Sequence, residues 1–221
     1  MCGRYSLFAP REDLAVRFGL VDFEEIEWVE RYNIAPSQDV LAIVRTEVGN
    51  KIGMLKWGLI PSWAADPKIG YKMINARAET IDQKPSFRTL FKRRRCIIPA
   101  DGFYEWKKEG AKKTPYRFQL NSKEPFSFAG LWDRWEQNGT IVHSCTIITT
   151  EANSLVKDVH DRMPVILTKE SESEWLDRKI QDEHELKSLL VPFRAEEMQA
   201  YPVSPLVNSP KNDVKEIVNS L

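Results

Sequence analysis

Between residues 95 and 149 one strand-forming segment follows another with almost no room for helix, and this constrains the fold more than any other feature. Segments 95–99, 103–107, 115–120, 126–131 and 140–149 are short runs rich in β-branched and aromatic residues, which fit a pleated, half-buried surface. Upstream, 40–45 and 51–59 read as two strands joined through Gly49-Asn50, a hairpin signal, and 164–167 reads as another strand. Helix signals lie toward the ends. Arg11–Phe18 follows Pro10, has acidic residues early and stops at Gly19; further helices are predicted at 85–92, 172–178, about 182–190 and 211–218. Many strands in succession with helices around them predict an α+β class, with a curved, barrel-like mixed β-sheet flanked by helices.

A chain of 221 residues fits one large domain, and the absence of repeats or a Gly/Ser linker assigns 1–221 to a single domain. With 32 basic and 32 acidic residues, the net charge gives no hint of a polyanionic partner, so any such binding must come from a local basic face. Lys92-Arg93-Arg94-Arg95 is the obvious block; it reads equally as a nucleic-acid patch or as a helix C-terminus complementing its dipole. Neither a secretory signal nor an apolar run of membrane-span length is present, which predicts a cytoplasmic protein without a membrane partner. The three cysteines, Cys2, Cys96 and Cys145, fit neither a disulfide framework nor a zinc pattern. His143 and Cys145 make a two-residue pair short of a ligand set, so no metal and no organic cofactor are expected. A monomer is the simplest expectation.

The start of the chain carries unusual chemistry. A small second residue generally permits removal of the initiator Met, which would make Cys2 the N-terminal residue. It would then present an amine and a thiol on adjacent carbons, with pKa values of ~7.7–8 and ~8.5 in unperturbed form, so both nucleophiles would be accessible near neutrality. An aldehyde reacts with the amine to give a Schiff base, and the thiol closes on the imine carbon to give a five-membered thiazolidine. A retained Met1 blocks this route.

Several separated segments share one resemblance: Met1-Cys2-Gly3-Arg4-Tyr5, Arg31-Tyr32-Asn33-Ile34-Ala35-Pro36, Trp57-Gly58-Leu59-Ile60-Pro61, Asn75-Ala76-Arg77-Ala78-Glu79-Thr80, Ala100-Asp101-Gly102-Phe103-Tyr104-Glu105-Trp106, His160-Asp161-Arg162-Met163-Pro164, and Pro202-Val203-Ser204 with Val207-Asn208. In this order they resemble the SRAP (SOS response-associated peptidase) domain over essentially the whole chain. The resemblance implies a barrel-like α+β fold with a positively charged groove. It also implies binding to single-stranded DNA and thiazolidine cross-linking to abasic sites through the N-terminal cysteine, with Schiff-base, lyase-like chemistry and peptidase self-processing of Met1.

The resemblance also assigns roles residue by residue. Asn75, a neutral amide, would orient the Cys2 amine and the sugar without quenching the nucleophile by charge. An abasic deoxyribose is mostly a closed hemiacetal, and Glu105 would move the proton that opens it. His160, whose imidazole titrates near ~6.5, would shuttle protons during Schiff-base formation or reversal. Arg4, Arg77 and Arg162 each flank one of these residues and match phosphate oxygens as guanidinium forks. Asn33, Pro36, Trp63, Trp106 and Thr149 would line the DNA path, where an indole stacks on a base at roughly 1–3 kcal/mol. Trp57 and Trp132 are expected in the core.

Three other functions compete. Glutamine-dependent amidotransferases also continue Met-Cys-Gly and use the freed cysteine as an N-terminal nucleophile, but this chain has Asn138-Gly139-Thr140 where that reading expects an Asn-Gly-Glu type signature. A cysteine peptidase acting only on its own terminus would use Cys2, Glu105 and His160. A non-catalytic reader of modified DNA would need the basic groove but no reactive Cys2.

Overall fold

The computed structural model describes residues 2–20 and 23–221. Met1, whose removal the chemistry above requires, lies outside the described residues, as do Val21 and Asp22. The strands in chain order are β1 (Tyr5–Leu7), β2 (Arg31–Ile34), β3 (Asp39–Thr46), β4 (Gly49–Trp57), β5 (Asn75–Arg77), β6 (Arg95–Ala100), β7 (Gly102–Glu109), β8 (Lys112–Leu120), β9 (Phe126–Gln137), β10 (Thr140–Glu151), β11 (Arg162–Pro164), β12 (Ile166–Leu167) and β13 (Met198–Pro202). The helices are α1 (Arg11–Phe18), α2 (Arg88–Arg93), α3 (Ser154–Lys157), α4 (Lys169–Leu176) and α5 (Glu183–Ser188).

Strands β10, β4, β3, β6 and β9 pair in that order, and β9 pairs back to β10, which closes a mixed five-stranded barrel. Only the β10–β4 contact in this ring is parallel. Closure leaves no free edge within the ring. β5 adds to β10 in parallel, β11 adds to it antiparallel, and β12 adds to β9. A second, antiparallel sheet runs β13-β8-β7-β1-β2. A single residue, Asp101, separates barrel strand β6 from second-sheet strand β7, so the chain passes from one sheet to the other at that point.

Aromatic side chains fill the space between them. Tyr5, Trp57, Phe103, Phe118 and Phe128 are fully buried, with the Tyr5 ring edge-on to Trp57 at 5.4 Å and to Phe128 at 5.6 Å. Burying a side chain of this kind stabilises the fold by about 1.5–3 kcal/mol. Trp57 is therefore core as expected, while Trp132 is half-buried against the core with the Arg94 guanidinium over its ring. Helix α1 buries Leu14 and Phe18, one turn apart, and Gly19 ends it in the left-handed conformation (φ 61°). At Gly58 (φ 134°) a Cβ would meet the Gly70 carbonyl oxygen at 2.7 Å, so only glycine lets the two backbones approach there.

Several local expectations are corrected. The β3–β4 hairpin exists, but Thr46 pairs with Gly49 and Arg45 with Asn50, so its turn is Glu47-Val48 and Gly49-Asn50 already belongs to the ladder. Segment 164–167 is two strands, β11 on β10 and β12 on β9, because Val165 bridges two barrel strands: its N–H donates to Ile148 and its carbonyl accepts from Ala129. The segment at 85–92 is helical only over α2, and the late helices lie over α4 and α5. At 211–218 the chain makes only a short 3-10 turn, Lys215–Val218.

The basic block is largely consumed by the fold. Arg95 is 6% exposed and donates to the carbonyls of Phe91, Lys92, Trp175, Asp177 and Ile180. Arg94 bonds Asp133, and Lys92 lies 2.8 Å from Glu183. Of the two readings left open, the structural one describes Arg94 and Arg95.

Candidate active site

The start of the chain is positioned by β1, which lies between β2 and β7 and pairs Tyr5 with Phe103 and Ser6 with Gly102. The Tyr104 N–H donates to the Arg4 carbonyl (3.0 Å), so the pairing continues toward Cys2 along β7, the strand that carries Glu105. Asp101 fastens this arm at its other end. Its carboxylate accepts from the Ser6 hydroxyl (2.6 Å) and from the N–H groups of Phe8 and Ala9, and the buried Arg117 guanidinium donates to it at 3.1 Å. This clamp was not legible in the sequence.

Cys2 is fully buried, and burial followed by the charge of Glu105 pushes its thiol well above the usual range. A thiol so placed would give up its proton only during attack, to a nearby base. Glu105 is 4% exposed, and burial raises its carboxyl above the ordinary glutamate range, with the charge of His160 acting in the opposite direction. A carboxyl whose hold on its proton is strengthened in this way is suited to donating one and taking it back.

Glu105 and His160 line one cleft of ≈ 730 Å³, together with Trp106, Lys113, Lys157 and Asn208. His160 follows α3, which Asn153 caps by accepting from the Val156 N–H (2.9 Å). His160 Nδ1 accepts from the Arg162 N–H (3.0 Å), which leaves Nε2 as the nitrogen bearing the proton in neutral imidazole. The three residues Cys2, Glu105 and His160, 158 positions apart at the extremes in sequence, are thus linked electrostatically through Glu105.

Arg162 leads on to β5 and β10. Its guanidinium donates to both Glu79 carboxylate oxygens (2.6 and 3.0 Å) and to the Thr149 carbonyl (2.7 Å). Thr149 is fully buried and pairs with Arg77, which is exposed. Asn75 opens the same strand; its Nδ2 reaches the Ile147 carbonyl at 3.5 Å, while its Oδ1 is buried with no hydrogen-bond partner. An unsatisfied buried acceptor is costly and needs an explanation. No described contact joins Asn75 to Cys2.

On the other flank, Arg4 donates to Asn33 Oδ1 (2.8 Å) and to the Val207 carbonyl (2.6 Å), with its guanidinium 5.9 Å from the Trp106 ring. Asn33 is fully buried and its Nδ2 donates to the carbonyls of Ser209 and Asn212, so it ties the C-terminal segment to β2. Asn33 and Thr149, expected to line a DNA path, are both fully buried. Trp106 is half-buried and its Nε1 donates to Asn208 (2.7 Å). Pro36 is partly buried after β2, and Trp63 stands 63% exposed beyond β4, the kind of free indole that stacking requires. Sequence reasoning missed Lys108, Lys113 and Lys157 at the cleft rim, since isolated surface lysines carry no signal.

Among the described residues no group of three or more His, Cys, Asp or Glu could hold a metal ion. No helix among them is long and apolar enough to cross a membrane.

Comparison with known proteins agrees with this architecture. The family model described as SOS response associated peptidase (SRAP) matches residues 1–210. A Bacillus subtilis protein named abasic site processing protein YoqW is 53% identical over 223 residues, covering 100% of both chains. The Escherichia coli abasic site processing protein YedK is 32% identical and covers 99% of each. A crystal structure of a protein from Bacteroides thetaiotaomicron superposes with a TM-score of 0.89 at 34% identity, covering 100% of both chains.

Proposed function

The chain belongs to the SOS response associated peptidase family, and from that membership we infer that it recognises abasic sites in single-stranded DNA and caps them covalently through Cys2. Relatives named for abasic site processing support the substrate class. The observation that carries the chemistry is that buried Glu105 lines one cleft with His160 and is coupled electrostatically to the buried Cys2 behind it.

In this reading, loss of Met1 frees the Cys2 amine, and the same three groups are the ones available to cut the Met1–Cys2 bond. Protonated Glu105 donates to the ring oxygen of the closed sugar while a base, His160 or water, takes the proton of the anomeric hydroxyl, giving the aldehyde. The amine adds to the carbonyl carbon, and the resulting carbinolamine loses one water to give the imine. The thiol then adds to the imine carbon; its proton passes through a base, Glu105 carboxylate or His160, to the imine nitrogen. Aldehyde and aminothiol give thiazolidine and one water overall. Arg4, Arg77 and Arg162 face the phosphates, Trp63 and Trp106 the bases, and Asn75 Oδ1 accepts from the amine or sugar hydroxyl it now lacks.

The test is incubation with single-stranded DNA carrying one abasic site, followed by a denaturing gel. A denaturation-resistant adduct is expected with wild type and none with Cys2→Ala. Lesion-free DNA binds weakly and loses affinity with salt. Equal adduct in Cys2→Ala overturns the reading.

A further inference from the structure

Both terminal nitrogens of Arg162 are engaged by protein groups, while its Nε has no hydrogen-bond partner. Its two terminal nitrogens serve both Glu79 oxygens, the Thr149 carbonyl and, at 3.3 Å, the Thr149 hydroxyl, while its Nε is buried. The Arg162 side chain is 15% exposed and that of Glu79 is 43% exposed. The accessible part of this pair is therefore the carboxylate, and the bidentate geometry it occupies is the one a phosphate would take on the same fork. Glu79 ends the Asn75-Ala76-Arg77-Ala78-Glu79 run that also carries the exposed Arg77.

We propose that Glu79 is a specificity-determining residue that occupies Arg162 in place of a DNA phosphate, so that any strand must displace this carboxylate before it binds. The proposal rests on the reading of Arg162 as a phosphate contact. Every phosphodiester meets the same competitor, so intact DNA, held only by reversible contacts, loses affinity. An abasic strand that dwells long enough to react is retained covalently regardless. The competitor therefore widens the ratio of lesion capture to idle binding. The alternative is a merely structural Glu79, which would hold Arg162 so that its N–H keeps His160 oriented.

Binding of lesion-free single-stranded DNA to Glu79→Gln, measured across a salt series, separates these. The expected result is roughly three- to tenfold tighter binding near 0.1 M salt and a log–log salt slope steeper by about 0.7. The gain should vanish in Glu79→Gln combined with Arg162→Gln. Unchanged or weaker binding by Glu79→Gln, or an equal gain in the Arg162→Gln background, overturns the proposal. Abasic DNA run in parallel keeps the two ideas apart. If Glu79→Gln tightens binding as described but wild type forms no adduct, the proposal stands and the cross-linking reading fails.

Discussion

Arg117 and Asp101 form an ion pair sealed inside the protein, with Nη2 3.1 Å from Oδ1 and side chains 1% and 5% exposed. Arg117 also donates to Gln119 and to the Asp101 carbonyl, while Asp101 holds Ser6, Phe8 and Ala9. The pair joins β8 to the β6–β7 junction and to the arm that begins at Cys2. Its consequence is chemical as well as structural: the position of Cys2, the proposed nucleophile, depends on a pair that does not line the cleft.

Asp101→Asn leaves the Arg117 charge buried without compensation. Breaking one side of such a pair costs about 3–5 kcal/mol, which urea unfolding would register as a large drop in midpoint. Cross-linking by whatever protein remains folded should also slow, because the arm is less firmly held.

Glu105→Gln should stabilise the protein at neutral pH. Burial raises the folded-state pKa of Glu105 above its unfolded value. The favourable contribution of that group is then complete below the ordinary glutamate value of ~4.3 and is lost as pH rises through the folded value. Glutamine cannot ionise, so the variant should exceed wild type in unfolding midpoint at pH 8, and the gap should close toward pH 4. Its cross-linking should nevertheless be slower, and the wild-type decline in rate toward alkaline pH should flatten. A variant less stable than wild type at pH 8 contradicts the assigned burial cost.

His160→Gln should reduce the single-turnover cross-linking rate by about 10²-fold, the lower end for a lost acid–base group. Affinity for lesion-free DNA should be unchanged, since imidazole is assigned a proton and not a phosphate. Parallel losses in binding and rate would move His160 to the DNA contact surface.

Arg95→Met tests the fate of the basic block. Five carbonyls lose their donor, so a loss of about 3 kcal/mol or more is expected in chemical unfolding. The salt dependence of single-stranded DNA binding should not change. A shallower slope would place Arg95 among the phosphate contacts after all.

What was legible in the sequence follows from how local each signal is. Helix α1 is read to the residue because its stop, Gly19, sits in the chain itself. The strands β1, β2, β5 and β13 were not seen. Each has three to five residues, and the partners that make them strands, such as Phe103 for Tyr5 or Leu120 for Met198, lie far away. Cys2, Glu105 and His160 were picked out by motif, and the fold supplies the reason they converge. Arg117 lies in a segment read only as a strand; the turn from barrel to second sheet at Asp101 makes it buried and paired.

Intact mass of the heat-denatured product from wild type and from Cys2→Ser, each incubated with abasic single-stranded DNA without reductant, tests the central claim most directly. The serine variant keeps an amine but has no thiol to close the ring, so it should give at most a hydrolysable imine. Wild type should give one species equal to the chain without Met1 plus the DNA, less one water. A stable adduct on Cys2→Ser, or a wild-type adduct that still carries Met1, would contradict the account.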